Sequence, residues 1–206
     1  MKPTDLILVI DMQNVYLPDA PWGCVTFHRS CDRIAALLSA VLSDPEPPAA
    51  LFTAFFSDPN AEGVWKTYNR VYRDVNSNPW MGEIVDGLKP FLASFPIYRK
   101  SVYSSMQIPD VRWLAERAGR IILTGVISEC CVLFTCMEAI DMGCQVVYLR
   151  DACSGDDPTK EEAVLTVLSG LVPLHVTIMD TDEYLSERSN EDTALPKAAA
   201  PQQLSS

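Results

Sequence analysis

Apolar residues follow two different periods along this chain. Leu6-Ile7-Leu8-Val9-Ile10 is apolar without a break and rich in β-branched side chains, the pattern of a strand buried on both faces. Residues 31–42 switch to helical spacing, with Ile34, Ala35, Leu37, Leu38, Val41 and Leu42 on one face, Ser30 placed as an N-cap and Pro45 beyond the end. Apolar runs at 49–56, 95–99, 120–124, 145–149 and 174–179 read as further strands, and stretches at 109–118, 131–142 and 158–168 as further helices. This alternation predicts an α/β fold with three layers, α/β/α, around a six-stranded, mostly parallel sheet with right-handed crossovers.

Two stretches break the rhythm. Residues 57–90 form a long insertion in which Trp65, Tyr68, Tyr72 and Trp80 are interspersed with charges, as in a lid or binding loop. From residue 189 onward Pro, Ala, Gln and Ser dominate with no apolar period, so 189–206 is expected to be a disordered tail behind a single domain at 1–188.

Composition narrows the class. The 206 residues are 48% hydrophobic and 21% charged, as in an ordinary globular domain. The net charge of −11 repels phosphate backbones and anionic lipid, which argues against nucleic acid and membrane surfaces as partners. The apolar run near the N-terminus is too short for a secretory leader or a membrane span. Seven cysteines, an odd number lying mostly inside apolar segments, suit free thiols in a reducing compartment, so a cytoplasmic location is expected. With only two histidines, His28 and His175, and no Cys-x-x-Cys, the sequence offers no metal site and no cofactor motif.

Ligands of open parallel sheets bind beyond the carboxyl ends of the strands. The residues at those ends are Asp11, Ser57-Asp58, Lys100, the run Gly125 to Cys131, and Asp151. A carboxylate, an ammonium and a thiol on one rim have a chemical meaning. The carboxylate can take the thiol proton, while the cation stabilises the thiolate.

Three blocks, Ile10-Asp11-Met12-Gln13, Arg99-Lys100-Ser101-Val102-Tyr103-Ser104 and Gly125-Val126-Ile127-Ser128-Glu129-Cys130-Cys131-Val132, resemble the catalytic blocks of the isochorismatase-like cysteine hydrolases, in the family's order. The resemblance extends from about Asp5 to Leu185, with Glu138-Ala139, Gly143 and Asp151-Ala152 also fitting. It implies Asp11 as general base and acid, Lys100 as the orienting cation, and Cys131, not Cys130, as nucleophile. It also implies a cis peptide before Ile127 that turns the amides of Ile127 and Cys131 toward one oxyanion. The implied reaction is cleavage of a small amide, ureido or carbamoyl C–N bond through a thioester, without metal, by a homo-oligomer (a dimer or tetramer). Gln13, Phe55, Trp65, Tyr68, Tyr103 and Ser128 are the candidate substrate-binding residues. The metal-binding branch of the family has an Asp-x-His after strand two; here those positions are Phe55, Phe56 and Ser57. Many metal-free relatives carry Thr-Arg-Phe, where this chain has Thr53-Ala54-Phe55, leaving Arg70 or Arg73 as the replacement for that arginine.

Plainer readings stand beside these. Taken singly, Asp11 is a strand-end carboxylate, Lys100 a solvated lysine, and Cys131 a small buried hydrophobe, as the other cysteines are expected to be. Glu129 reads as a helix-start charge, and His28 and His175 as structural. Trp65, Tyr68 and Tyr72 suit a helix face packed on the core as well as a pocket wall. The rival functions are a vinyl-ether hydrolase of the isochorismatase type, a Mg²⁺-dependent haloacid-dehalogenase-like phosphatase using Asp11, Thr53, Lys100, Asp151 and Asp156, and a catalytically idle interaction protein.

Overall fold

A computed structural model describes residues 5–194. Six parallel strands form one sheet in the order β3-β2-β1-β4-β5-β6. They are β1 (Asp5–Ile10), β2 (Ala49–Phe55), β3 (Ile97–Lys100), β4 (Arg120–Val126), β5 (Gln145–Ser154) and β6 (Val176–Met179). The helices are α1 (Phe27–Ser43), α2 (Gly63–Val71), α3 (Arg73–Asn76), α4 (Pro109–Ala115), α5 (Leu133–Asp141), α6 (Pro158–Ser169) and α7 (Thr181–Ala194). Among the described residues, no helix is long and apolar enough to cross a membrane.

The unbroken apolar run of β1 follows from its central place. Its alternating side chains feed both sides of the sheet, Ile7 and Val9 toward α1 and α7, Leu6, Leu8 and Ile10 toward α4, α5 and α6. Asp5, at the start of the same strand, is buried and anchors α7. Its carboxylate accepts from Arg120 at 2.9 and 3.0 Å, from the Tyr184 hydroxyl at 2.8 Å and from Arg188 at 3.3 Å.

Several element limits differ from the sequence reading. Helix α1 begins at Phe27, a turn earlier, so Ser30 lies inside it and its hydroxyl donates to the Thr26 carbonyl instead of capping. Strand β5 continues to Ser154 because its register with β4 jumps from Leu123↔Tyr148 to Gly125↔Cys153. Asp151 sits in that irregularity, where Arg33 and Thr181 hold its carboxylate. Helix α7 runs to Ala194, past residue 189, where the tail was expected to begin; the helix is fastened by Tyr184 and Arg188, not by an apolar period. Residues 195–206, and with them the rest of that expectation, lie outside the described residues.

The strand order reverses between β1 and β4, and the crevice of such sheets opens there, beyond the carboxyl ends. Gly125 lets the two strands finish in contact at this point. Its φ is +108°, and a Cβ there would lie 2.1 Å from the Ile10 carbonyl oxygen. Gly125→Ala is therefore expected to cost about 4 kcal/mol or more, since both backbone strain and a backbone clash must be relieved. Urea denaturation checks this; a midpoint equal to that of the wild type would contradict it.

Candidate active site

Asp11 leaves β1 with φ +54°, a left-handed conformation that Asp tolerates better than most residues. Its amide still pairs with the Thr53 carbonyl at 3.0 Å, and its Oδ1 accepts from the Thr53 hydroxyl at 2.9 Å. Oδ2 faces Lys100 Nζ at 2.6 Å. Lys100 ends β3, and its ammonium also donates to the carbonyls of Val102 and Tyr103 at 3.1 and 2.8 Å. Two of the ammonium's three donors go to these carbonyls, which leaves the third for Asp11 and the Cys131 sulfur. Both charged side chains are sealed, 0% exposed for Asp11 and 1% for Lys100.

Cys131 comes from the other side of the crevice. A π-helical turn, Ser128–Val132, links β4 to α5 and places the buried thiol beside Asp11 and Lys100. π-turns recur at functional sites because they re-aim side chains within a helix. The Val126–Ile127 peptide just before the turn is cis. Thr135 fixes the turn: its hydroxyl donates to the Cys131 carbonyl at 2.7 Å and accepts from the Ser105 amide at 2.9 Å, tying the nucleophile candidate to the loop behind Lys100.

The electrostatics define each partner's resting state. Burial pushes the Cys131 thiol well above its ordinary pKa; Lys100 pulls it down and Asp11 pushes it up, and burial prevails. The resting thiol is therefore protonated and needs a base. Burial alone would lower Lys100, but the charge of Asp11, joined by Cys131 once that thiol ionises, outweighs it and holds the ammonium above the usual lysine range. Asp11 Oδ2, which takes no aligned hydrogen bond although it touches Lys100, has a lone pair free for the thiol proton.

Above the thiol opens a cavity of about 490 Å³. Its walls are Tyr16, Trp22, Phe55, Tyr68, Tyr72 and Tyr103; Ile127, Cys130 and Cys131 also line it, together with Asp156. Of the six candidate substrate-binding residues, Phe55, Tyr68 and Tyr103 therefore face the cavity. Trp65 stands behind them, its ring 4.9 Å from Tyr103 and 5.3 Å from Tyr68. Gln13 does not face the cavity. Its amide donates to the carbonyls of Phe55 and Gly82, both at 3.0 Å, and accepts from the Phe55 amide at 2.8 Å, clamping the insertion to β2. Ser128 is buried beside Tyr148, because the π-turn rotates it inward. Arg70 and Arg73 are exposed on the outer side of the insertion, away from the cavity lining. Asp151, held by Arg33 and Thr181, does not join the rim, which removes one block of the phosphatase reading.

Tyr16, Trp22 and Cys130 were not among the candidates, and Asp156 stood there only in the phosphatase reading. Tyr16 and Trp22 sit in a compact loop closed by Trp22 N–H to Val15 and Cys24 N–H to Tyr16, which has no periodic signal. Asp156 lies beside Glu129, and Lys160 bridges the two, 2.6 Å from Asp156 and 3.8 Å from Glu129. Half-burial and the neighbouring Asp156 raise the Glu129 carboxyl from 4.5 to about 7. Among the described residues, no cluster of His, Cys, Asp and Glu is grouped to hold a metal ion.

Two measurements test these electrostatics. Lys100→Met removes the charge that lowers the Cys131 thiol, so alkylation of Cys131 by iodoacetamide, followed by intact mass, is expected to slow at least about tenfold at neutral pH and shift to higher pH. An unchanged rate would contradict the assignment. Glu129 binds its proton more tightly folded than unfolded, so the stability it contributes is full below about pH 4.5 and lost as the pH rises through about 7. Glu129→Gln should therefore show a smaller fall in urea midpoint from about pH 5 to about pH 8 than the wild type, and an identical fall would count against it.

Comparison with known proteins agrees with this architecture. The isochorismatase domain matches residues 5–183. An uncharacterised isochorismatase family protein of Bacillus subtilis, YddQ, is 24% identical over 199 residues, covering 88% of this chain and 99% of that protein. The crystal structure of an isochorismatase family protein from Desulfovibrio vulgaris superposes with a TM-score of 0.76 at 22% identity, over 91% of this chain and 99% of that one. N-carbamoylsarcosine amidase from Thermoplasma acidophilum superposes with a TM-score of 0.68 at 16% identity, over 87% and 97% of the two chains. With the domain match spanning most of its length and the fold shared throughout, the chain belongs to the isochorismatase-like hydrolase family.

Proposed function

We propose that this protein is a cysteine amidohydrolase that cleaves a C–N bond of a small amide, ureido or carbamoyl compound without a metal ion. The observation that carries the reading is the contact of Asp11, Lys100 and Cys131 at one end of a cavity of small-molecule size. The likeness to N-carbamoylsarcosine amidase points the same way.

In the proposed sequence, Asp11 Oδ2 takes the Cys131 proton as sulfur attacks the carbonyl carbon, so that little free thiolate accumulates beforehand. Lys100 compensates the charge shared between carboxylate and sulfur. The amides of Ile127 and Cys131 donate to the oxyanion of the tetrahedral intermediate. Asp11 returns its proton to the leaving nitrogen, the C–N bond breaks, and ammonia or an amine departs from a thioester on Cys131. Water then attacks that carbonyl, giving one proton to Asp11; the C–S bond breaks, and the same proton restores the thiol.

Ammonia release over a panel of primary amides and ureido acids tests the reading. Cys131→Ala and Asp11→Asn, purified as folded proteins, are each expected to lower kcat/KM at least about 10³-fold, because the trio acts as a unit. A chelator is expected to leave the rate unchanged. Activity surviving both substitutions, or abolished by the chelator, would overturn it.

A further inference from the structure

The cavity walls carry a second message, about the end of the substrate that does not react. Trp22 is the hub of an aromatic enclosure, its ring 5.4 Å from Tyr72, 5.7 Å from Tyr16, 6.1 Å from Phe55 and 6.2 Å from Tyr68. Tyr68 and Tyr72 lie 4.6 Å apart. Aromatic faces carry negative quadrupole charge, and groups of them bind ammonium ions.

The charges around this enclosure have one prevailing sign. Asp156 is the only Asp, Glu, Lys or Arg on the cavity lining among the described residues. Glu129 lies behind it, its Oε2 buried without a partner. Among the described residues Lys160 is the cation that bridges these two groups, so the pair carries net negative charge once Glu129 is ionised, above about pH 7. The field reaches inward: Cys130 and Cys24 are raised chiefly by burial, and next by the charges of Glu129 and Asp156. Among the described residues no lysine or arginine lines the cavity to receive a carboxylate, and Lys100 is buried beneath it against Asp11 and two carbonyls.

We propose that the pocket selects a substrate whose non-reacting end is cationic, an ammonium or alkylammonium group enclosed by Trp22, Tyr68 and Tyr72 and drawn in by Asp156 with Glu129 behind it. The identity of the reacting end, an amide or carbamoyl carbon at Cys131, rests on the amidohydrolase reading; the preference for a cation does not. The two are tested separately.

For the cationic end, choline, its uncharged isostere dimethylbutanol and the matching carboxylate dimethylbutanoate are titrated into the wild-type protein and followed by tryptophan fluorescence and calorimetry. Choline is expected to bind at least about tenfold more tightly than the alcohol, with the carboxylate weakest. Asp156→Asn and Trp22→Leu should each weaken choline more than the alcohol. Binding of the alcohol or the carboxylate as tight as that of choline, no saturable choline binding, or choline binding indifferent to both substitutions would overturn the proposal. For the reacting end, ammonia release is compared across aminobutanamide, pentanamide and succinamate. The ammonium-bearing amide is expected to have the highest kcat/KM, and a preference for succinamate would again overturn it. If none of the three releases ammonia while choline still binds selectively, the cationic preference stands independently of the amide chemistry.

Discussion

The buried pair of Asp11 and Lys100 is the constraint around which the rest of this protein is arranged. Two opposite charges taken out of water are costly unless their geometry is good and every remaining donor and acceptor is used. Here the ammonium pairs with Asp11 and donates to two carbonyls, and the carboxylate is held on its other side by Thr53, while Oδ2 keeps a lone pair unused. Lys100 reaches Asp11 from the edge strand β3, across the end of β2, so the arrangement holds only in the observed register. Ile10 pairs with Thr53 and Phe55 with Lys100. A slip of one residue would turn Lys100 to the opposite face.

In the proposed reading, the chemistry and the selectivity are supplied by different parts of the chain. Strand ends and the π-helical turn after β4 bring the trio together at the edge of the parallel sheet. The walls come from the loop holding Tyr16 and Trp22, from the insertion holding Tyr68 and Tyr72, and from Tyr103 and Asp156, each on a separate connection. Loops can change the occupant without disturbing the site they surround. Gln13 couples the two parts, since its amide, two residues beyond Asp11, fastens the insertion to β2.

How much of this was legible in the sequence depends on range. Strand positions and the layered fold were readable because a strand buried on both faces has an unmistakable apolar run, as at Leu6–Ile10. Asp11, Lys100 and Cys131 were readable as members of ordered blocks that resemble a family, not from their own chemistry. The failures concern orientation and polar anchoring. Gln13 and Ser128 lie within two of the blocks that resemble the family's, yet their side chains turn inward, one into backbone clamping and the other under a π-turn. Helix α7 is held by buried polar contacts to Asp5, which leave no periodic apolar trace, so its last turns read as tail. Trp22 and Asp156 meet across the cavity only after folding; they are more than a hundred residues apart in the sequence.

The account stands or falls on a covalent intermediate at one sulfur. An amide that the protein turns over would be mixed with it, quenched in acid within the first turnovers and examined by intact mass and fragmentation of the peptide containing Cys130 and Cys131. The predicted result is an acyl adduct, its mass that of the substrate acyl group, on Cys131 alone, and none in Cys131→Ala. Steady ammonia release with no adduct under conditions that preserve a thioester, or an adduct on Cys130, would contradict the assignment of Cys131 as nucleophile.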